Sequence, residues 1–187
     1  MKNADYKMAP FVHLYVAVRR RKDNPNGARE ICYRELIQDP EIDLERLKCR
    51  IKTQPGIWRI HKTVNKRDTS KAFKLLQHRM IEEPEIAMRL PTIWKTCLLQ
   101  TECRAERNIL LDIDSPASHL PVVNALMAHS IVPLFSVNTP SGGSHVVCPK
   151  FDTRIIEGIE AVTVMRDDVH FVERLEVLEF NDFKNWE

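Results

Sequence analysis

Asn108-Ile109-Leu110-Leu111-Asp112-Ile113-Asp114 is an apolar run that ends in two carboxylates one residue apart. Alternate side chains of an extended strand share a face, so Asp112 and Asp114 point to the same side. Carboxylates aimed together repel unless a cation or a proton sits between them. At the mouth of a buried strand such a pair suits Mg²⁺ or Mn²⁺, hard cations that take carboxylate oxygens and commonly bridge to phosphates. The competing reading is a strand end whose acids cap the next helix, because Ser115-Pro116 follows directly. A second stretch with chemical content lies about thirty residues on, Thr139-Pro140-Ser141-Gly142-Gly143-Ser144-His145. Glycines let backbone N–H groups approach an anion closely, serine hydroxyls add donors, and a histidine at the next strand start can donate to a phosphate oxygen. Its competing reading is a plain hairpin loop with a surface histidine.

The elements that must position these residues follow from periodicity and turn chemistry. In the second half, the strand Asn108–Asp114 leads through Ser115-Pro116 into a helix to about His129 that buries Leu120, Val123, Leu126 and Met127. Ile131 to Val137 reads as a strand, Asn138 to Ser144 as a loop, and His145-Val146-Val147-Cys148 as a returning strand. Thr153 to about Arg166 carries Ile155, Ile159 and Val162 at helical spacing, and Leu175 to Phe180 closes as a strand. That order, β-α-β-β-α-β, predicts an α+β fold with a ferredoxin-like or RNA-recognition-like antiparallel sheet over residues 108–187, its first strand between the third and the fourth. Asp112 and Asp114 then lie beside His145 and beside the start of the last strand, near Glu173 and Glu176. Residues 1–107 read as an N-terminal α/β module packed on that core. Within it are a strand at Phe11–Val18, a helix from an Asp43 cap to about Thr53, a strand at Ile57–Val64, and a helix at Thr69–Glu82 with Ala72, Phe73, Leu76 and Met80 on its apolar stripe. Glu85 to Arg107 holds one or two short helices.

These residues, in this order, resemble the catalytic core of the archaeo-eukaryotic primase superfamily, especially the primase-polymerase domains of phages, plasmids and bacterial end-joining ligases. Leu110-Leu111-Asp112-Ile113-Asp114 matches the first motif, and Ser141-Gly142-Gly143-Ser144-His145 matches the second, whose core is a small residue, any residue and histidine. The resemblance covers roughly residues 108–149. It implies a metal-dependent nucleotidyltransferase, a primase or polymerase that takes nucleoside triphosphates and a DNA or RNA template or primer, with replication proteins as partners. By analogy Asp112 and Asp114 hold the metals, and Ser141, Gly142, Gly143, Ser144 and His145 hold the triphosphate. The family's third motif is another acid on a later strand, typically aspartate after an apolar residue. Here Leu175-Glu176-Val177-Leu178-Glu179-Phe180 offers glutamates. Strand direction favours Glu176 as the third metal ligand, with Glu179 as runner-up and Asp182 beyond the strand. Two other readings of the same acids remain: a metal-dependent nuclease or phosphoesterase with His145 as acid or base, and a non-catalytic nucleic-acid-binding module on the same fold.

Basic clusters extend the candidate surface. In Trp58 to Asp68, Lys62, Lys66 and Arg67 read either as phosphate contacts or as a solvated turn before a helix. Arg19–Lys22 reads either as a solvated run or as a grip on a nucleic-acid backbone. Arg104 and Arg107 precede the acidic strand and either reach a triphosphate or pair with Glu102 and Glu106. His61, on a strand, reads as structural. The 187 residues carry 28 Lys and Arg against 26 Asp and Glu, a net charge of +2, so nucleic-acid binding must rest on local patches. The five cysteines are scattered and never spaced CxxC, which reads as reduced thiols in a cytoplasmic protein. The N-terminal residues do not read as a signal peptide, and no apolar run is long enough to span a bilayer.

Overall fold

Phe11–Arg19 forms β1, the central strand of a first antiparallel sheet. A computed structural model describes residues 9–24 and 29–177. The pattern of β1 suits a doubly covered strand: Val12, Leu14, Tyr15, Val16 and Ala17 are all buried. β2 (Ile31–Ile37) pairs on one side of it. This strand has no clean alternation to mark it in the sequence: its apolar and charged residues are mixed, all partly exposed except the exposed Cys32. α1 (Pro40–Ile51) begins earlier than expected. Asp39 is its N-cap, accepting from the Glu41 and Ile42 N–H groups. Asp43 lies inside the first turn and reaches back to accept from the Gln38 and Asp39 N–H groups. Proline tolerates the first helical position, which moves the start to Pro40.

β3 (Gly56–Thr63) pairs with the other side of β1. The two-residue β4 (Arg67–Asp68) pairs with the beginning of β1 and leads into α2 (Thr69–Glu82), capped by Asp68 through the Lys71 N–H. Ala72 and Leu76 of α2 are buried as expected, whereas Phe73 is half-exposed at 52%. α3 (Leu90–Leu98) follows a 3₁₀ turn at Pro84–Arg89, and packs Cys97 and Leu98 with Val12, Leu14, Ala72 and Leu76.

β5 (Ile109–Ile113), α4 (Pro116–Ala128), β6 (Phe135–Asn138) and β7 (Ser144–Cys148) form where the sequence places them, with β6 shorter than expected. α4 turns a different stripe inward. It buries Ser118, Val122 and Leu126, while Leu120 and Met127 are exposed. Positions 118, 122 and 126 repeat every four residues and so lie on one face. The expected helix at 153–166 is absent. Thr153–Ile156 is a 3₁₀ turn, and Val162–Met165 is β8, paired with β5. Gly158 and Ala161 have positive φ (86° and 55°), which breaks the helical path, and the β-branched Val162-Thr163-Val164 prefer the sheet.

The second sheet therefore has the order β6-β7-β5-β8. Its first strand does lie between the third and the fourth, but the fourth is β8. The segment expected to close this sheet belongs instead to β9 (Val169–Val177), which pairs with β3 and completes the first sheet as β2-β1-β3-β9. Residues 178–180 of the expected strand, with Glu179 and Asp182, lie outside the described residues. The molecule is thus α+β with two antiparallel sheets, and β9 returns the C-terminal half of the chain to the N-terminal sheet.

One face of the second sheet, with Ile109, Leu111, Ile113, Val146 and Cys148, packs on Val122 and Leu126 of α4 and on Ile156. The opposite face meets the first sheet through Val64, Leu110, Val147 and Met165. Polar ties lock the junction. The fully buried Asn65 accepts from the Asn108 N–H at 2.7 Å and donates to the Asn108 carbonyl at 3.2 Å. Arg67, 2% exposed, makes two parallel hydrogen bonds to Asp167 at 3.0 and 2.8 Å. A buried guanidinium held this way is costly to leave unpaired, so it pins the β8–β9 link to β4. All five cysteines are free, with Cys97, Cys103 and Cys148 buried. No helix among the described residues is long and apolar enough to cross a membrane.

Candidate active site

The alternation of β5 sends Leu111 and Ile113 into the α4 core and Asp112 to the face that meets the first sheet. Asp112 lies directly opposite His145 of β7 in the register. A cleft of about 250 Å³ opens there between the sheets. Its walls carry Asp112 from β5 and Asp114 just after it, His145 from β7, Ser141 and Thr139 from the loop before it, Asp168 just before β9, Arg59 and His61 from β3, and Arg20 and Lys22 from the segment after β1. The two aspartates thus face one space, as strand geometry requires, and His145 joins them.

The third acid in this cleft is Asp168. Glu176 is exposed and lies opposite Ile57 near the far end of β9. Eight residues of strand separate it from Asp168, roughly 26 Å at 3.3 Å per residue. Its assignment as a metal ligand is corrected accordingly, because β9 enters the first sheet with its beginning, not its end, at the cleft. Glu173 is also engaged elsewhere, 2.8 Å from Lys48. Asp167 and Asp168 divide their work: the first binds Arg67, and the second faces the cleft with one carboxylate oxygen fixed by the Val169 N–H at 2.7 Å. Reading residues 153–166 as a helix leaves Asp168 in a connecting segment. The available signal was Arg166-Asp167-Asp168 directly before an alternating β-rich run.

His145 has a defined tautomer. Its Nδ1 accepts the Phe171 N–H at 2.9 Å, so the ring proton resides on Nε2, which lies 3.3 Å from Asp112 Oδ1. Burial pushes its pKa down, against the upward pull of Asp112 and then Asp168. The neutral ring offers the cleft one N–H donor.

The loop residues have unequal roles. Ser141 lines the cleft, with its hydroxyl 3.0 Å from that of Thr139. Gly142 has φ 89°, which favours glycine, and accompanies the turn. Gly143 packs against the β5 backbone: a Cβ there would lie inside contact distance of the Ile113 carbonyl oxygen, 3.1 Å from the Ile113 carbonyl carbon and 3.2 Å from the Asp114 Cα. Ser144 points to the opposite face of β7, where its hydroxyl meets His119 Nδ1 at 2.8 Å. It belongs to the α4 side and is removed from the nucleotide-binding set.

The basic candidates divide in the same way. Arg20 and Lys22 reach the cleft, and among the described residues neither has a carboxylate within salt-bridge distance. Arg59 is bound bidentately to Asp23 at 2.8 Å. Arg67 is a structural ion pair rather than a nucleotide ligand. Lys66 pairs with Glu106 at 3.1 Å. Lys62 lines a separate cleft with His13, His170 and Phe135. Arg104 and Arg107 lie toward the opposite end of β5, in a cleft of about 370 Å³ with Lys150 and Arg166. There Arg104 donates to the Arg166 carbonyl at 2.6 Å.

Four histidines are packed around the contact of the two sheets. Burial is the main cause that holds His13 at about 4, His61 at about 3 and His170 at about 4. In the unfolded chain such rings protonate near 6.5. Below that pH the unfolded state binds more protons than the folded state, so stability is lost as pH falls from about 6.5 toward 4. The melting temperature is expected to drop between about pH 7 and pH 5, above the usual range of carboxylate titration. A scanning-calorimetry series showing a flat melting temperature over that interval would contradict the burial of these rings.

No protein-family model, curated protein or solved structure matches this chain. Three aspartates on one cleft, with hydroxyl oxygens nearby and no thiol, form an all-oxygen set suited to a hard divalent cation. Among the described residues no three His, Cys, Asp or Glu side chains already converge as a closed metal cluster.

Proposed function

We propose that the protein is a metal-dependent nucleotidyltransferase of the primase-polymerase kind, acting on nucleic acid. The observation that carries this reading is one cleft lined by three aspartates together with Arg20, Lys22 and His145. Acids alone bind cations and bases alone bind phosphates; an arrangement of both suits a metal-bound triphosphate. The resemblance of the Asp112/Asp114 and Ser141–His145 motifs to the archaeo-eukaryotic primases agrees with it. On this reading the second sheet is a reduced RNA-recognition-like core, with a 3₁₀ turn in place of its second helix.

Asp112, Asp114 and Asp168 would hold Mg²⁺ or Mn²⁺. When bound, the ions supply activation of a 3′-hydroxyl and neutralisation of charge on the departing pyrophosphate. Arg20 and Lys22 neutralise phosphate oxygens from the first-sheet side. His145 donates its Nε2 proton to a phosphate oxygen, and Ser141 adds a hydroxyl donor. The 3′-hydroxyl would lose its proton to solvent, its oxygen would form a bond to the α-phosphorus, and the bond from that phosphorus to the bridging oxygen would break, releasing pyrophosphate.

His145 bears on the nuclease alternative. A ring whose Nδ1 is taken by a backbone N–H and whose Nε2 carries the proton has no free lone pair to activate water. Asp168 places a third aspartate on the cleft, which favours a catalytic site over a non-catalytic module. Primer-extension and primer-synthesis assays with Mg²⁺ or Mn²⁺ test the proposal. Wild type is expected to release pyrophosphate with incorporation, and Asp112→Ala/Asp114→Ala to form no product. Shortened strands in place of extended ones, or equal product from the double variant, would sink it.

A further inference from the structure

Arg104, Arg107, Lys150 and Arg166 line one cleft of about 370 Å³ at the end of the second sheet away from the aspartates. They come from three segments that the sheet brings together: the approach to β5, the exit of β7 and the exit of β8. Ile109, on the same wall, precedes Asp114 by five residues, roughly 17 Å at 3.4 Å per residue of antiparallel strand. A phosphate held at the aspartates cannot touch these side chains as well, so the cleft is a separate site.

Its charge is not offset within the fold. Among the described residues none of the four basic side chains has a carboxylate within salt-bridge distance. Glu106 is taken by Lys66 at 3.1 Å. Asp152, on the cleft wall, accepts from Arg154 Nε at 2.9 Å on both carboxylate oxygens. Arg104 donates to the Arg166 carbonyl at 2.6 Å, while Arg107, Lys150 and Arg166 are exposed. Like charges gathered this way repel, and a polyanion offsets that cost.

Phe151 narrows the choice of anion. It lines the cleft and packs, partly buried, against the core between α4 and the second sheet. Basic side chains around an aromatic ring suit single-stranded nucleic acid, whose phosphates meet the cations while an unpaired base stacks on the ring. A duplex keeps its base faces hidden, and inorganic phosphate has none. The volume is that of an organic ligand rather than of one ion.

We propose that this cleft binds a segment of single-stranded nucleic acid, with phosphates on the four basic side chains and a base on Phe151. The site needs no metal and stands apart from the nucleotidyltransferase reading. Fluorescence anisotropy of labelled oligothymidylate with the full chain, in EDTA and over a series of salt concentrations, tests it. Wild type is expected to bind, with log affinity falling against log salt at a slope of about −3 or steeper for four neutralised phosphates. Arg107→Gln/Lys150→Gln should flatten that slope by about 1.4 and weaken binding at low salt by about tenfold or more. Lys71→Gln/Lys74→Gln removes the same charge from exposed positions on α2 and should bind within about twofold of wild type. Phe151→Leu, which keeps an apolar side chain on the core, should weaken binding by about fivefold or more. Oligothymidylate annealed to oligoadenylate should bind more weakly than the single strand.

Absence of binding in EDTA overturns the proposal and leaves the metal cleft untouched. Wild-type affinity in Arg107→Gln/Lys150→Gln, or equal weakening by the Lys71 and Lys74 pair, means that the cleft does not hold the strand. Duplex bound as tightly as single strand, or wild-type affinity in Phe151→Leu, means that charge alone is read. Each of these results overturns the assignment.

Discussion

Gly143→Ala is expected to disable the cleft while leaving every candidate chemical group in the chain. The backbone at Gly143, just before β7, lies so close to the end of β5 that an added methyl meets the Ile113 carbonyl and the Asp114 Cα. These are backbone atoms of a central strand, with no flexible side chain to swing aside. The two strands must separate, and Asp112, Asp114 and His145 move with them. Overpacking of this kind destabilises by about 1–3 kcal/mol. A displacement near 1 Å at a reacting centre can lower a rate by about a hundredfold. Extension activity should therefore fall by at least that factor, with a lower melting temperature and weaker Mn²⁺ binding by titration. Gly142→Ala is the comparison, since no atom lies within 4 Å of its added methyl and only the positive φ opposes it. Wild-type activity and melting temperature in Gly143→Ala would show that β5 and β7 do not approach as described.

Asp168→Asn and Glu176→Gln should separate completely. Asp168 faces the cleft with Asp112 and Asp114, and its carboxylate acts on His145. Removing its charge takes away one of the proposed metal ligands and should lower activity by at least about a hundredfold, the scale for losing one group that stabilises transition-state charge. The Mn²⁺ requirement should shift to higher concentration. Glu176 is exposed at the other end of β9, and Glu176→Gln should retain wild-type activity and Mn²⁺ dependence within about twofold, as surface substitutions usually do. The reverse ranking, with Glu176 essential and Asp168 dispensable, would refute the placement of β9 and the site built on it.

The difference between these two acids marks how far local pattern reaches. β5, the turn to α4 and β7 were legible because each is a short, strongly apolar strand bounded by Pro, Gly and Ser. Adjacent residues on such strands must alternate faces, so the shared orientation of Asp112 and Asp114 and their nearness to His145 follow from spacing and simple topology. Residues 153–177 were not legible in the same way. Ile155, Ile159 and Val162 fit helical spacing, but the left-handed backbone at Gly158 and Ala161 and the β-branched run after it favour a turn and a strand. The apolar face of α4 was likewise misassigned in part, because almost every position of that helix is apolar and spacing alone cannot choose among stripes.

The sequence by itself determined the pair of acids, the histidine and the Gly/Ser turn before it, because strand alternation and turn chemistry act over a few residues. Only the tertiary structure decided which acid completes the set and which basic residues are free to meet phosphate. Those outcomes depend on β9 crossing to the first sheet and on Asp167 drawing Arg67 into an ion pair. Such long-range contacts are set by the packing of one sheet on another, which no local pattern encodes.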